Sequence, residues 1–351
     1  MIDAADRRHL ARCSELAERG RRTAAPNPVV GAVIVRDGVV VGEGWHGRPG
    51  GDHAEVVALR AAGDARGATV YVNLEPCSHH GRTPPCADAL IAAGVDRVVT
   101  AMIDPSDKVN GAGVARLRAA GVTVEVAGGD VERDARRQNS WWLTLALLGR
   151  PHVTYKAAVS TDGRTASAAR PRWISSPESR AQVHELRAQI GAVAVGIETA
   201  IADDPLLTAR DVEPPADRQP LRVVFDHRAR LPVSSQLAAT ASPEAPVLVF
   251  AAPGATPVAV LGVETFEAAS PADALAELGR RRISALLLEG GATLATGLLD
   301  AGLIDRLMLY RAPIELGDGP GLFTRDVPLP EPWSTVPSGP DILTVTELRE
   351  A

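Results

Sequence analysis

A histidine and two cysteines spaced for a metal site constrain this chain more than any other feature of its sequence. His53 is followed by Glu55, and Cys77 and Cys86 come later, each directly after a proline. One imidazole and two thiolates suit zinc, and a zinc ion with three protein ligands keeps a fourth position open for water. Such a site is typically catalytic, because the metal lowers the pKa of that water to about 7. The fold must therefore bring these separate segments together.

The two cysteines also have a simpler interpretation as buried apolar thiols, since free cysteine is common in protein cores. The chain has only three cysteines, however, and Cys77 and Cys86 lie close together. The Pro84-Pro85-Cys86 run opens a helical pattern, and a cysteine at a helix N-terminus favours the thiolate that zinc requires. We therefore predict one zinc ion per chain, bound by His53, Cys77 and Cys86. Cys13 is interpreted as an ordinary helix residue.

Glu55 has two competing roles. Asp52 and Glu55 lie three positions apart at the start of an apolar helical run, which is a capping-box pattern. The order His, Glu, Pro-Cys, Cys is also that of the zinc deaminases, in which a glutamate moves a proton to the leaving nitrogen. We favour the catalytic role, because His53 in the same turn would bind the metal, and we leave helix capping to Asp52.

Length and composition exclude several classes of protein. A chain of 351 residues suggests two domains, and 45% hydrophobic with 23% charged residues is typical of a soluble globular protein. No apolar run approaches membrane-spanning length, and no signal-peptide pattern opens the chain. An odd cysteine count fits a reducing cytoplasm, where we expect the protein to act. The net charge of −6 disfavours a nucleic-acid partner.

Strand and helix patterns alternate along the chain, which predicts α/β architecture in two domains, 1–148 and 149–351, with the break at Gly149-Arg150-Pro151. The predicted strands are 29–35, 39–41, 69–74, 95–102, 122–126, 152–160, 192–196, 221–226, 246–250, 285–289 and 304–311. The predicted helices are 53–62, 86–93, 113–120, 130–148, 177–190, 272–282 and 292–301. Asp37-Gly38 predicts a hairpin turn. The stretch 211–220 and the tail after Gly317 are predicted to be loops.

Longer motifs surround these residues. In the first half they lie at 27–31, 42–46, 53–55 and 73–86; in the second half they lie at 156–166, 173–174, 186–187, 199–208 and 289–294. Through them the chain resembles, over essentially its full length, the bifunctional pyrimidine deaminase–reductases of riboflavin biosynthesis. Eight residues separate Cys77 from Cys86, as in that family. Deaminases acting on cytidine or on tRNA adenosine usually have two.

The resemblance implies a cytidine-deaminase-like three-layer domain followed by a dihydrofolate-reductase-like domain. It implies zinc-dependent deamination of a diaminopyrimidinone ribosylamine 5′-phosphate, then NADPH reduction of the ribosyl group to ribityl. Glu55 would be the proton shuttle, and Asn27 and His46 would contact the pyrimidine. His79 and His80 would be loop residues near the substrate. The partners would be small phosphorylated pyrimidines, with neither nucleic acid nor membrane, and we expect a homodimer or a homotetramer.

For the second half, the resemblance implies two sets of contacts. The residues expected at the reductase substrate are Arg187, Leu207, Arg210 and Glu289. The residues expected at the cofactor are Lys156, Val159, Trp173, Thr199, Asp203, Gly290, Gly291, Thr293, Leu294 and Gly297. Backbone N–H groups at the glycines would hold phosphate at a helix N-terminus. Each position also has an ordinary alternative, as a strand–helix turn for the glycines or a solvated charge for the arginines.

The choice between NADPH and NADH depends on the turn after strand 221–226. Asp226 would favour the ribose hydroxyls of NADH, and the arginines that follow, Arg228 and Arg230, would favour the 2′-phosphate of NADPH. That rule comes from a different fold, and each arginine could equally be a solvated charge. We predict NADPH, because the cations outnumber the carboxylate and the resemblance indicates the same cofactor.

Two departures from the family pattern leave alternatives open. The chain has Asp104-Pro105-Ser106-Asp107 where the family usually has Asp-Pro-Asn-Pro, and Pro171 where it has a serine. One alternative is therefore a reductase whose first domain is a weakly active zinc scaffold. A nucleic-acid deaminase with an accessory domain is a third hypothesis, disfavoured by net charge and by the cysteine spacing.

Overall fold

The computed structural model of this chain describes residues 2–78, 84–107, 109–166, 173–256 and 259–349. These residues belong to two compact units, Met1–Leu148 and Gly149–Glu350. In the ranges just given, no helix combines the length and the apolar character needed to cross a bilayer. The predicted loop residues His79 and His80, and the departure at Pro171, lie outside the described residues.

The first unit alternates strands and helices largely as its sequence predicts. Its described elements are α1 (Ala4–Glu18), β1 (Gly31–Arg36), β2 (Val39–Trp45), α2 (Ala54–Ala62), β3 (Thr69–Val72), α3 (Cys86–Ala92), β4 (Arg97–Thr100), α4 (Ala112–Ala119), β5 (Thr123–Val126), α5 (Gly129–Gln138) and α6 (Ser140–Leu148). The strands form a sheet of order β2-β1-β3-β4-β5. Asp37 and Gly38 have φ of 51° and 77°, as a two-residue hairpin turn requires, so the predicted hairpin is confirmed.

Alternate side chains of β1 face opposite layers of helices. Ala32 and Ile34 belong to one core with residues of α2, α3 and α4. Val33 and Val35 belong to a second core with residues of α1, α5 and α6. Because successive strand residues point to opposite faces, a sheet covered on both faces needs a continuous apolar run, which is what residues 29–35 supply.

Two local predictions in the first unit are wrong. The single helix expected over 130–148 is interrupted at Asn139, between α5 and α6. The Asn139 side chain accepts from the Val29 N–H at 2.9 Å and donates to the Val29 carbonyl at 3.1 Å. It therefore bonds to the backbone of the segment just before β1. Asp52 does not cap α2, because the N-cap is His53, one residue later, and it makes no side-chain capping bond. Asp52 pairs instead with Arg60 at 2.8 Å.

The second unit is built on a larger sheet. Its described elements are β6 (His152–Val159), α7 (Pro177–Gln189), β7 (Ala192–Gly196), α8 (Ile197–Asp203), β8 (Leu221–Phe225), α9 (Gln236–Ala239), β9 (Val247–Ala251), β10 (Val263–Glu267), α10 (Pro271–Arg280), β11 (Ala285–Leu288), α11 (Ala292–Asp300), β12 (Arg306–Arg311), β13 (Ser334–Ser338) and β14 (Asp341–Glu347). The strand order is β10-β9-β8-β7-β11-β6-β12-β14-β13. Neighbouring strands from β10 to β12 are parallel, so their carboxyl ends share one edge.

The tail after Gly317 is not the loop that its proline content predicted. Strands β13 and β14 form an antiparallel hairpin, and β14 pairs with β12. Pro337 is tolerated because β13 is an edge strand, where a missing N–H leaves no ladder bond unmade. The hairpin is also anchored by the buried Asp341 carboxylate, which accepts from the Ser176 N–H at 2.8 Å and the Ser179 hydroxyl at 2.6 Å. Residues 211–220 contain no helix or strand, as predicted.

Candidate active sites

The predicted metal ligands lie together in the first unit. The Nδ1 atom of His53 is 3.1 Å from Sγ of Cys86 and 3.5 Å from Sγ of Cys77, and all three ligand atoms lie within 4.8 Å of one another. Zinc–sulfur and zinc–nitrogen bonds in a tetrahedral site place such ligand atoms roughly 3.6 Å apart. The spacing and the donor set therefore fit zinc.

Local structure explains why these three side chains meet. His53 precedes α2, Cys77 follows β3, and Cys86 is the first residue of α3, with its N–H 3.3 Å from Sγ of Cys77. The hydrogen bond shared with Cys86 lowers the pKa of Cys77 to about 4 and raises the pKa of Cys86. The hydrogen bond to Cys77 raises the pKa of His53. One thiolate is thus already favoured in this cluster, and bound zinc would favour the second.

Glu55 is buried beside the cluster, in the first turn of α2, with 3% of its surface exposed. Burial raises the pKa of Glu55, while the positive charge of His53 opposes that rise. The structure gives Glu55 no capping-box partner, since His53 occupies the N-cap position without a side-chain bond. A buried carboxyl at this place can hold or release a proton, which is what a general acid–base group requires.

Asn27 and His46 lie together next to the metal ligands. The Asn27 Nδ2 atom is 3.0 Å from Nε2 of His46, and Nδ1 of His46 is 3.1 Å from the Asp52 carbonyl oxygen. The His46 and His53 rings meet edge to face at 5.4 Å. His46 is 4% exposed, so it is not the surface loop residue that was its alternative. Burial lowers the pKa of His46, which favours a neutral imidazole.

Two buried asparagines fix the segment that carries Asn27, and sequence reasoning gave neither a role. Asn73 accepts from the Gly31 N–H at 3.0 Å and donates to the Val29 carbonyl at 3.1 Å. Asn139 forms hydrogen bonds with both the N–H and the carbonyl of Val29. The polar backbone of this buried segment is satisfied by side chains instead of a strand partner. For Asn73, the available signal was a polar residue without an evident role directly after the apolar strand β3.

Glu75 was also missed, although it lies two residues before Cys77. Its carboxylate, 4% exposed, accepts three backbone N–H bonds, from Asp104 at 3.1 Å and from Gly111 and Val114 at 3.0 Å. Those bonds connect the Cys77 segment to the loop that precedes α4 and to the first turn of α4 itself. Glu75 therefore acts as a structural anchor of the site.

The first departure from the family pattern lies on that same loop. The Ser106 N–H donates to Oδ1 of Asp104 at 2.8 Å, and Asp107 is exposed. The segment keeps a turn stabilised by an aspartate side chain. Its exposed end carries a negative charge where the family pattern has proline.

A cavity of about 460 Å³ lies at the carboxyl ends of β7, β8 and β9 and at the start of α11. Ligands bind at this edge in open α/β sheets. Five of the predicted cofactor residues line it: Thr199, Gly291, Thr293, Leu294 and Gly297. Gly291 is the N-cap of α11 and provides no side-chain cap, so the first N–H groups of this helix suit a phosphate.

The cavity also contains an unsatisfied acceptor. Asp226 is fully buried; its Oδ2 accepts from the Leu231 N–H at 2.8 Å, while its Oδ1 has no hydrogen-bond partner among the described residues. The Arg230 Nε atom lies 3.9 Å from that Oδ1, beyond hydrogen-bond distance, and the Arg230 Nη2 atom lies 2.6 Å from Oε1 of Glu198. Apolar walls with a few polar groups are typical of a cofactor site, and a ribose or amino group would satisfy Asp226. The cavity therefore fits a dinucleotide.

Three of the four predicted substrate residues of the second unit, Arg187, Arg210 and Glu289, form a separate charged cluster. Arg187, on α7, holds both carboxylate oxygens of Glu289, at 2.7 and 3.0 Å, and donates to the Thr208 carbonyl at 3.1 Å. Arg210 is exposed near this group and helps lower the pKa of His184, after burial and Arg187. Burial of Glu289 is outweighed by Arg187 and Lys156, which hold its pKa below the usual range.

The remaining predicted residues of the second unit lie elsewhere around these sites. Val159 is buried at the end of β6, and Leu207 is buried with a φ of 55°. Asp203 ends α8. Trp173 is 55% exposed and stacks under Arg180 at 5.1 Å. None of these residues, nor Lys156 or Gly290, is among the described residues that line the cavity.

Comparison with known proteins gives consistent results for both units. Residues 3–102 match the cytidine and deoxycytidylate deaminase zinc-binding region, and residues 151–331 match the RibD C-terminal domain. The riboflavin biosynthesis protein RibD of Escherichia coli is 44% identical over 91% of this chain and 91% of that protein. RibD of Mycobacterium tuberculosis is 45% identical over 87% of this chain and 84% of that protein.

Solved structures agree. The structure of Acinetobacter baumannii RibD aligns with 98% of this chain over 99% of its own length. The TM-score is 0.87 and the sequence identity is 38%. A Thermotoga maritima structure aligns over 98% of both chains with a TM-score of 0.85 at 33% identity. That protein is named a diaminohydroxyphosphoribosylaminopyrimidine deaminase and 5-amino-6-(5-phosphoribosylamino)uracil reductase. The predicted fold class, a cytidine-deaminase-like three-layer domain and a dihydrofolate-reductase-like domain, is confirmed.

Proposed function

Because the chain belongs to the RibD family of riboflavin biosynthesis proteins, we propose that it catalyses both reactions for which the Thermotoga maritima relative is named. It is a bifunctional deaminase and reductase that uses zinc and NADPH. The first unit would deaminate the diaminopyrimidine phosphoribosylamine, and the second would reduce the ribosyl group of the product. The observation that carries this proposal is the convergence of His53, Cys77 and Cys86 beside the buried Glu55.

In the first unit, His53, Cys77 and Cys86 would hold zinc, which supplies a Lewis acid that activates water at neutral pH. Glu55 takes a proton from the attacking water and delivers it to the amino nitrogen that leaves as ammonia. Asn27 and His46 orient the pyrimidine through donors and acceptors that already contact each other at 3.0 Å. Burial of Glu55 and His46 keeps bulk water away from the proton being moved.

In the second unit, NADPH would supply the reducing electrons. The start of α11 would hold its pyrophosphate, and Asp226 would accept a hydrogen bond from its adenosine half. Arg187 and Arg210 would meet the substrate phosphate, since guanidinium groups match phosphate oxygens. Glu289, fixed by Arg187, would lie beside the reacting sugar with Lys156.

We also infer where and in what form the enzyme works. Its three cysteines are free, which supports a reducing, cytoplasmic location. Trp333, next to strand β13, is 45% exposed, and Ile342, on the same face of the β13–β14 hairpin, is 41% exposed. Such apolar surface supports a homodimer or a homotetramer. Light scattering of the purified chain tests the oligomeric state.

The altered segment 104–107 favours one second candidate, a reductase whose first unit binds zinc but deaminates weakly. Ammonia release separates the candidates when it is measured with the pyrimidine ribosylamine phosphate and with a single-stranded oligonucleotide. We expect release only from the pyrimidine. No release from either compound, with NADPH oxidation intact on deaminated substrate, would support the zinc scaffold. Release from the oligonucleotide would support a nucleic-acid deaminase.

A further inference from the structure

Asp226 is a buried carboxylate that lines the cavity of the second unit with only one of its two oxygens bonded. It directly follows β8, and its exposed fraction is 0%. Its Oδ2 accepts from the Leu231 N–H at 2.8 Å, whereas its Oδ1 has no hydrogen-bond partner among the described residues. The Arg230 Nε atom, 3.9 Å from Oδ1, is too distant for a hydrogen bond. A buried acceptor without a partner is costly, so a ligand that donates a hydrogen bond to Oδ1 removes that cost.

The cavity walls at the carboxyl ends of β8, β9 and β10 are largely apolar. Phe225 precedes Asp226, and its ring centre lies 5.6 Å from that of Phe250 on the neighbouring strand β9. Ala268, just after β10, and Ala274, on α10, line the same cavity. Small alanine side chains leave room for a flat ring, and aromatic side chains pack favourably against one. A heteroaromatic base with a hydrogen-bond donor on its edge suits these walls.

The strand order indicates which part of a dinucleotide would reach Asp226. The first N–H groups of α11, which begins after β11, suit the phosphates. In the sheet β7 lies between β11 and β8, and β9 and β10 follow, with about 4.8 Å between neighbouring strands. In NADPH the adenosine ribose lies between the pyrophosphate and the adenine. Phosphates at α11 would therefore put the ribose near the end of β7 and the adenine near the ends of β8 to β10.

Charge also favours the base over the ribose as the partner of Asp226. The 2′-oxygen of the adenosine ribose in NADPH carries a phosphate. A carboxylate that bonded the adjacent 3′-hydroxyl would lie close to that second negative charge, and like charges repel strongly where water is excluded. The 6-amino group of adenine is uncharged and can donate a hydrogen bond to Oδ1 without this repulsion.

We propose that Asp226 selects the adenine base of the cofactor. Its Oδ1 accepts a hydrogen bond from the adenine 6-amino group, while its Oδ2 stays bonded to the Leu231 N–H. A cofactor with hypoxanthine in place of adenine presents a carbonyl oxygen at that position, so two acceptors face each other. A site built to accept a hydrogen bond rejects an analogue that lacks the donor. The inference rests on the proposed function in one respect, that NADPH occupies this cavity.

Reduced nicotinamide hypoxanthine dinucleotide phosphate is the probe, compared with NADPH on the full-length, zinc-loaded protein. Fluorescence titration gives the Kd of each compound without any need for turnover. We expect the hypoxanthine compound to bind about ten to a hundred times more weakly, as for a lost hydrogen bond to a charged acceptor. The kcat for reduction of deaminated substrate should be the same with both cofactors, because the base does not contact the reacting nicotinamide ring.

Two aspartate-to-asparagine variants test the contact. In Asp226→Asn the Leu231 N–H requires the amide oxygen, so the amide NH₂ group takes the place of Oδ1 and donates to the hypoxanthine carbonyl. The preference for NADPH should therefore disappear or reverse. Asp273→Asn is the matched control, because Asp273 is exposed in the first turn of α10 and is not among the described residues that line the cavity. It should keep the wild-type ratio of Kd values.

The outcomes separate this inference from the proposed function. Both compounds are titrated on one preparation, so a partly unfolded variant leaves the ratio of their Kd values unchanged. Equal Kd values in the wild-type protein would overturn the inference, and so would a preference for NADPH that persists in Asp226→Asn. Either result in a protein that oxidises NADPH with deaminated substrate would leave the proposed function intact. Selective binding of NADPH in a protein without that activity would refute the proposed reductase alone.

Discussion

Replacing Glu75 by alanine should destabilise the first unit without touching a metal ligand. The carboxylate accepts three backbone N–H bonds at 3.0–3.1 Å in buried surroundings. Each N–H left without a partner costs about 1–3 kcal/mol. Taking the lower part of that range, because the loop before α4 can relax and admit water, the loss is about 4 kcal/mol.

That loss converts into a measurable shift in melting temperature. An unfolding entropy of about 2.1 cal/mol/K per residue gives the 148-residue unit about 0.3 kcal/mol/K, so the melting temperature should fall by about 13 °C. Scanning calorimetry of the full chain measures this. The transition of the first unit is identified by its response to a zinc chelator, and the other by its response to NADPH.

Glu75→Gln is the matched control. Its amide oxygen can keep two of the three bonds, so about one third of the shift is expected. A shift below about 3 °C for the alanine variant would contradict the anchoring role, given the costs used above. Movement of the NADPH-responsive transition by the same amount would show a general loss of stability.

Four further outcomes are expected. Cys77→Ser should remove bound zinc and deamination together while NADPH oxidation on deaminated substrate survives, as metal analysis and two activity assays will show. Glu55→Gln should keep the zinc but slow ammonia release by about two to four orders of magnitude, the usual worth of a positioned proton carrier. Replacing Arg228 and Arg230 together by alanine should raise the KM for NADPH much more than that for NADH. Residues 147–351 alone should fold and bind NADPH, measured by fluorescence titration.

Each of these has an outcome that would contradict it. Full zinc content in the Cys77 variant would reject that ligand. Normal turnover in the Glu55 variant would reject the proton shuttle; Glu43→Gln, which removes a carboxylate paired with Arg12 in the same unit, should remain active. Equal KM changes for the two cofactors would place 2′-phosphate recognition elsewhere. A fragment that stays insoluble at several starting residues would contradict an independent second domain.

The sequence was most informative where a residue's role depends on its own chemistry. His53, Cys77 and Cys86 were predicted together from their ligand type, spacing and local context, and the structure places their ligand atoms within 4.8 Å of one another. Strand β1, for example, was predicted because successive residues are apolar, and the structure buries them on both faces of the sheet. The apolar pattern of a buried strand is repeated locally along the chain, so it can be read without knowledge of distant partners.

What was missed depends on partners distant in the sequence. Asn139 interrupts a helical pattern because it bonds to Val29, more than a hundred residues earlier. Strand β14 was hidden by a proline-rich tail and becomes a strand by pairing with β12. The roles of Glu75 and of the Arg187–Glu289 pair likewise appear only when two loops or elements are brought together.

Strand β3 has a consequence for hydrogen exchange. It is the central strand of the first sheet, with Val70, Tyr71 and Val72 buried, and the chain runs directly from it to Cys77. Its amides should exchange with deuterium only when the whole unit opens, whereas the Asp104 and Gly111 N–H groups that donate to Glu75 should exchange through local opening of the loop before α4. The segment that carries Cys77 thus begins at the slowest-exchanging strand, and deuterium uptake along it should rise from the strand end towards the loop.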